Sequence, residues 1–250
     1  MDKELIRKRF SKASSAYASQ ATIQYQIAAK MNAKIEQYIP SSVRRNVLEI
    51  GCGTGLFTRM YLNCSQPDNL LLNDLCPEMQ RYLVDLLDEH ICFSACDAET
   101  LDFPSGQDLI ISCSTIQWFE HPDQFLLRCR DLLTDQGYLA FTTFGPSNVK
   151  EIASITGTSL KYYSLNDLLI NLSSFYHIVW SEEELVTCLF PSPMFVLKHL
   201  KETGVTGVSH NRWTKGQLDA FCQQYWQLHG CANKKVPLTY HPIYMICKKI

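Results

Sequence analysis

An apolar strand that runs into a turn with glycine at every second position fixes most of what this chain can fold into. Val47-Leu48-Glu49-Ile50 leads directly into Gly51-Cys52-Gly53-Thr54-Gly55. Glycines there let the backbone bend sharply and let a ligand approach it closely. The surrounding pattern agrees. Strand-like runs at 47–50, 69–73, 91–95, 109–112 and 138–144 alternate with helical runs at 55–63, 77–89 and 123–133, the last ended by Gly137. Such alternation predicts an α/β fold, a parallel sheet with helices on both faces.

The flanks differ from this middle. Residues 3–38 read as helical, with Ile23, Ile27, Met31 and Ile35 at helical spacing. Beyond 144 come helical stretches at 147–156 and 164–172, then one long strand-like run, Tyr176–Phe190. Helices follow near 193–203 and 214–228, the second with Thr214 as its N-cap, and the chain closes on an extended run, Leu238–Lys248. The expected organisation is an N-terminal helical lid (1–40), a ligand-binding core (41–190), a helical cap (191–236) and a final core strand (237–250). The late strands are expected to form an antiparallel edge, making seven strands in all.

The net charge of −2 argues against general nucleic-acid binding. No apolar run approaches the ~18 residues of a membrane span, so no membrane association is expected. The sequence from Met1 to Arg9 lacks the apolar core of a signal peptide. Eleven cysteines, an odd number, include several inside apolar runs and no Cys-x-x-Cys pair. Reduced thiols used as small hydrophobes in the cytoplasm fit this usage better than disulfides or zinc. No metal site is expected.

Two ligand classes compete for the glycine turn. A dinucleotide fingerprint needs glycine three residues after the second one, but that residue is Leu56. Glu49 would also repel a pyrophosphate, whereas it would attract an ammonium or a sulfonium. Asp74, at the end of the second strand, can accept both ribose hydroxyls, and Asp97, after the third, can accept from an adenine amino group. S-adenosyl-L-methionine meets these demands best. A nicotinamide cofactor and a ligand-free glycine turn are the competing readings.

Val47–Gly55, Asp74-Leu75-Cys76-Pro77-Glu78-Met79, Asp97-Ala98-Glu99 and Asp108–Trp118 resemble the successive motifs of class I S-adenosylmethionine-dependent methyltransferases. The resemblance implies a Rossmann-like fold in which Glu49, Gly51, Gly53 and Gly55 hold the methionine part. It places Asp74 and Leu75 at the ribose, Asp97 and Ala98 at the adenine, and the segment Ser112–Gln117, Ser112 and Ser114 above all, between cofactor and substrate. The chain departs from the commoner pattern at Ser114, where many such enzymes carry Asn, and at Asn73, where an apolar residue is usual.

Further segments carry a closer resemblance. They are Arg9–Ala13 with Tyr17 and Gln24, Ser114–Trp118, Ala140–Pro146, Phe190–Pro193, Leu200–Val205, Arg212-Trp213-Thr214 and Pro237–His241. They are similar to the family of methyltransferases that esterify malonyl thioesters for biotin synthesis. That resemblance implies methyl transfer to the free carboxylate of malonyl on acyl carrier protein or on coenzyme A, leaving S-adenosyl-L-homocysteine. It implies no general base, because the carboxylate is already ionised with a pKa near ~4. Tyr17, Gln117, Trp118, Arg212, Tyr240 and His241 are the expected substrate-binding residues, with Arg212 as the carboxylate grip.

A basic face for the acidic carrier is sought among Lys3, Arg7, Lys8, Arg9, Lys12, Arg44, Arg45, Lys198 and Lys201. A monomer is expected. Alternatives are a methyltransferase for another small acid, aconitate-like, and a non-catalytic S-adenosylmethionine-binding protein.

Overall fold

The structure, a computed structural model, describes residues 2–20, 22–204, 213–232 and 234–250, without the side chains of 15–20. The N-terminal helical stretch is two helices, α1 (Lys3–Gln20) and α2 (Thr22–Tyr38). The sheet strands are β1 (Asn46–Ile50), β2 (Asn69–Asp74), β3 (Ile91–Ala95), β4 (Gln107–Cys113), β5 (Leu133–Phe144) and β6 (Tyr176–Glu183). They are followed by β7 (Val186–Phe190), β8 (Val236–Tyr240) and β9 (Pro242–Lys249). Helices α3 (Leu56–Leu62), α4 (Pro122–Leu132), α5 (Lys150–Thr156), α6 (Leu165–Leu172), α7 (Pro193–Glu202) and α8 (Lys215–His229) connect or cover them.

Seven strands form one sheet in the order β3-β2-β1-β4-β5-β9-β6. The first five run parallel, and β9 runs antiparallel to both β5 and β6. This is the expected mostly parallel sheet with an antiparallel C-terminal edge. The winding direction reverses between β1 and β4, which opens a crevice at the carboxyl ends of those strands. On one face Ile27, Met31 and Ile35 of α2 and Phe57 and Tyr61 of α3 share a core with Val47, Leu70 and Leu109. On the other, Phe125, Leu126 and Cys129 of α4 and Leu168 and Leu172 of α6 bury Leu48, Ile50, Ile110 and Leu139. Burial on both faces is why these strands read as unbroken apolar runs.

Several local expectations are corrected. The helix expected over 77–89 is only a 3₁₀ turn, Pro77–Tyr82. The guanidinium of Arg59 donates to the Tyr82 carbonyl at 2.8 Å, taking an acceptor that a continuing helix would need. Gly137 does not end a helix. It lies inside β5 beside a register shift against β4, and a Cβ there would meet the Gln107 carbonyl at 3.0 Å.

The run Tyr176–Phe190 is two strands in different sheets: β6 belongs to the large sheet, while β7 pairs antiparallel with β8 in a separate two-stranded ribbon. At the break, Glu184 donates its N–H to the Pro242 carbonyl and accepts from Tyr244 and Lys30. The closing run divides correspondingly at His241, between β8 and β9. The helices α7 and α8 are thus carried by a ribbon, not by the main sheet.

Candidate active site

The glycine turn stands at the carboxyl end of β1. Gly51, Gly53 and Gly55 have φ values of 72°, 55° and 80°. Their surroundings divide the three. A Cβ on Gly51 would lie 2.2 Å from Thr115 Oγ1, and one on Gly55 2.6 Å from Leu83 Cδ2, so both glycines serve close packing. A Cβ on Gly53 would meet nothing within 4 Å, so this backbone faces open space.

Asp74, at the end of β2, braces the turn. One carboxylate oxygen accepts from Gly53 N–H at 2.9 Å and the other from Cys76 N–H at 2.8 Å. Burial raises its pKa, and these two donors oppose the rise. Glu49 is buried and accepts from Thr58 Oγ1 at 2.8 Å. Burial, with the charge of Asp74 nearby, pushes its pKa up to about 7 against the Thr58 hydrogen bond. A cation placed beside it would pull that value back down. Cys52, Cys76 and Cys113 line the same wall, and burial raises each thiol, so they form a neutral apolar surface.

The third acid is engaged from above. Lys3 of α1 reaches Asp97 with distances of 2.7 and 2.6 Å to its two oxygens, and it also pairs with Glu99. Glu99 accepts from the backbone N–H groups of Glu120 and His121, and Arg128 donates to the Ala98 and Glu99 carbonyls. Two more fastenings hold α1 as a roof. Phe10 meets Trp118 edge to face at 5.3 Å, and Ser14 Oγ accepts from Arg81 and Tyr82. Gly204 allows the Phe10 contact, since a Cβ there would lie 2.8 Å from the ring.

Floor and roof enclose a cavity of about 140 Å³ lined by Glu49, Gly51, Gly53, Asp74, Leu75, Asp97, Ala98, Ser114 and Trp118, among others. Small-molecule sites typically span about 300–1,000 Å³. A nucleoside-sized ligand therefore requires α1 to give way. The loop after β4 closes one side with Ser114 at φ 55°, its N–H donated to Thr142 Oγ1 at 2.8 Å. A non-glycine residue held at positive φ is strained, and such strain clusters at functional sites.

The other expected site residues lie elsewhere. Ser112 is buried within β4 and Gly55 opens α3; neither lines the cavity. Gln117 lines a second cavity. Tyr240 is buried, with its hydroxyl 2.7 Å from His199 Nε2 of α7. His241 Nδ1 accepts from Ser147 N–H at 3.1 Å, and Nε2 faces Glu183 at 3.0 Å, so it buttresses the Gly145 turn. The Tyr17 side chain and all of Arg212 lie outside the described residues.

Lys3, Phe10, Ser14 and Phe119 line the first cavity without having been expected there. Phe10 sits in one of the family-like segments, a signal that could have found it. Most of the basic residues sought for docking are paired: Arg7 with Glu78, Lys8 with Glu4, Arg45 with Asp68 and Lys198 with Glu202. Arg44 is buried against Glu36.

Residues 48–141 match the family profile described as a methyltransferase domain. The fold resembles that of YcgJ from Bacillus subtilis (TM-score 0.60, 15% identity, 88% of this chain and 97% of that one). It also resembles an S-adenosylmethionine-dependent methyltransferase from Mesorhizobium loti (TM-score 0.55, 15% identity, 87% and 96%). Sheet order and glycine-turn crevice together give the chain the Rossmann-like class I methyltransferase fold.

Along its whole length the chain is 48% identical to a malonyl-[acyl-carrier protein] O-methyltransferase of Bacteroides thetaiotaomicron, covering 100% of this chain and 99% of that protein. It is 37% identical to the one from Haemophilus influenzae (99% and 95%). A relative so named in Bacteroides fragilis is 49% identical over 99% of this chain, which spans only 50% of that longer protein. The chain belongs to the malonyl-[acyl-carrier protein] O-methyltransferase family.

Proposed function

We propose that this protein transfers the methyl group of S-adenosylmethionine to the free carboxylate of malonyl held as a thioester on acyl carrier protein. The product would be a malonyl methyl ester able to prime the chain elongation that leads toward biotin. The observation that carries this reading is the end-to-end similarity to malonyl-[acyl-carrier protein] O-methyltransferases, which extends well beyond the generic cofactor motifs. Eleven unpaired cysteines support a reducing, cytoplasmic setting.

The residues lining the first cavity suit a cationic nucleoside ligand admitted by displacement of α1. When bound, S-adenosylmethionine supplies an electrophilic methyl on a sulfonium. Glu49 offers a buried counter-charge to its cationic end, and Gly53 leaves open backbone beside it. Asp74 is assigned to the ribose hydroxyls. Asp97, with Leu75 and Ala98 in the walls, is assigned to the adenine.

The malonyl carboxylate is ionised near neutral pH, so the protein must orient and dehydrate it rather than deprotonate it. Arg212 is assigned to grip that carboxylate and Tyr17 to meet it from the lid. Trp118 walls the reacting region. Tyr240 and His241 act by positioning, through His199 and the Gly145 turn.

Arg212→Lys is expected to lose most transfer while retaining cofactor affinity by calorimetry. Unchanged turnover would remove Arg212 from the site.

A further inference from the structure

A second cavity, of about 570 Å³, lies on the other side of the loop that follows β4. Its walls include Gln117 and Phe119 from that loop, Leu126 and Leu127 from α4, Phe144 from the end of β5, and Leu160. Phe119 lines the first cavity as well, so the two spaces share a wall at the carboxyl ends of β4 and β5. The size falls in the range of about 300–1,000 Å³ usual for small-molecule sites.

Gln117 supplies the polar signal. Its amide nitrogen donates to the Ser114 carbonyl at 2.6 Å, which fixes the side chain against the strained turn of the first cavity. Its Oε1 is buried and has no hydrogen-bond partner among the described residues. An orphaned buried acceptor is costly and calls for a donor. Glu120 and Asp123 line the space with Lys161, so the ligand portion it takes is uncharged rather than a second anion.

We propose that this second cavity is the channel for the amide-bearing pantetheine arm that links malonyl to its carrier. Gln117 Oε1 accepts from an amide N–H of that arm. The malonyl end then arrives past Phe119 at the first cavity, beside Trp118. This inference rests on the malonyl-thioester reading above. It makes Gln117 a specificity residue: it reads the carrier's arm, not the reacting carboxylate.

The test compares two substrates, malonyl-pantetheine and malonyl ethyl thioester, which lacks the amides. Gln117→Leu is expected to raise the KM for malonyl-pantetheine about tenfold, the loss of one buried hydrogen bond, with kcat nearly unchanged. The same variant should raise the KM for malonyl ethyl thioester much less, since only the lost hydrogen bond to Ser114 acts on both substrates. Leu127→Trp, which fills the channel from α4, should raise the pantetheine KM further with the same selectivity.

If the wild type methylates both thioesters and the variants weaken neither or weaken both equally, the channel assignment is wrong and the malonyl reading stands. If the wild type methylates neither of these nor malonyl-acyl carrier protein, the malonyl reading falls and the channel with it.

Discussion

The floor and the roof of the first cavity are built by different means. The floor is backbone geometry locked by register: β1 lies between β2 and β4, Asp74 clasps Gly53 and Cys76, and Gly51 lets Thr115 close in. The roof is α1 held by side chains: Lys3 on Asp97 and Glu99, Phe10 on Trp118, and Ser14 on Arg81 and Tyr82. Damage to the floor should abolish binding or the fold. Damage to the roof should change how fast a ligand enters and leaves. A rigid floor under a releasable roof also lets a narrow cavity admit a large ligand and still exclude water.

The largest effect is expected at Asp74. Asp74→Ala removes the proposed ribose acceptor and leaves the Gly53 and Cys76 N–H groups without their acceptor, and S-adenosylmethionine affinity should fall by about a hundredfold or more. Titration calorimetry reads the affinity, and thermal unfolding should show a lowered Tm in the same variant.

Gly51 and Gly53 separate packing from ligand space within the floor. Gly51→Ala drives a Cβ into Thr115 and should cost about 2–3 kcal/mol of stability, partly restored by adding Thr115→Ala. Gly53→Ala should cost only about 1 kcal/mol for its positive φ yet weaken cofactor binding more than the stability change explains. Equal Tm values for the two variants would contradict the division.

Glu49 gives the floor a pH signature. Its pKa of about 7 means that the ligand-free site is half protonated near neutrality, while a cationic ligand needs the carboxylate. Affinity for S-adenosylmethionine should therefore weaken about tenfold from about pH 8 to about pH 6, with proton release on binding. Glu49→Gln should bind weakly and without this pH dependence. The raised pKa also destabilises the ligand-free fold progressively as pH rises from the ordinary carboxylate range through about 7. Glu49→Gln should accordingly raise Tm at about pH 8 and change it little below about pH 4.5, where Glu49 is protonated in both the folded and unfolded chain.

The smallest effect is expected in the roof. Lys3→Met should speed both association and dissociation of S-adenosylmethionine in stopped-flow fluorescence, changing Kd by no more than about threefold.

The same contrast explains what could be read from the sequence. The floor was legible because its chemistry lies at the ends of successive strands: Glu49, Asp74 and Asp97 each follow an apolar run, and the sheet order brings them together. Ser114 stood out as a departure from Asn; its φ of 55° is a conformation that Asn tolerates better, and nothing in the structure explains the serine.

The roof's fastenings were not legible. Lys3 reads as one charge in a basic cluster until tertiary packing sets it against Asp97, 94 residues away. Arg44 likewise reads as a surface cation, yet it is buried on Glu36. Nor does hydropathy mark where Tyr176–Phe190 leaves one sheet for another. That break is set by Glu184, whose partners Lys30, Pro242 and Tyr244 come from both ends of the chain.

The most direct measurement gives the purified protein methyl-labelled S-adenosylmethionine together with malonyl-acyl carrier protein. The expected result is label on the carrier as a base-labile methyl ester, abolished by Asp74→Ala and retained, with altered cofactor rates, by Lys3→Met. Cofactor binding with no base-labile ester on malonyl-acyl carrier protein would contradict the account.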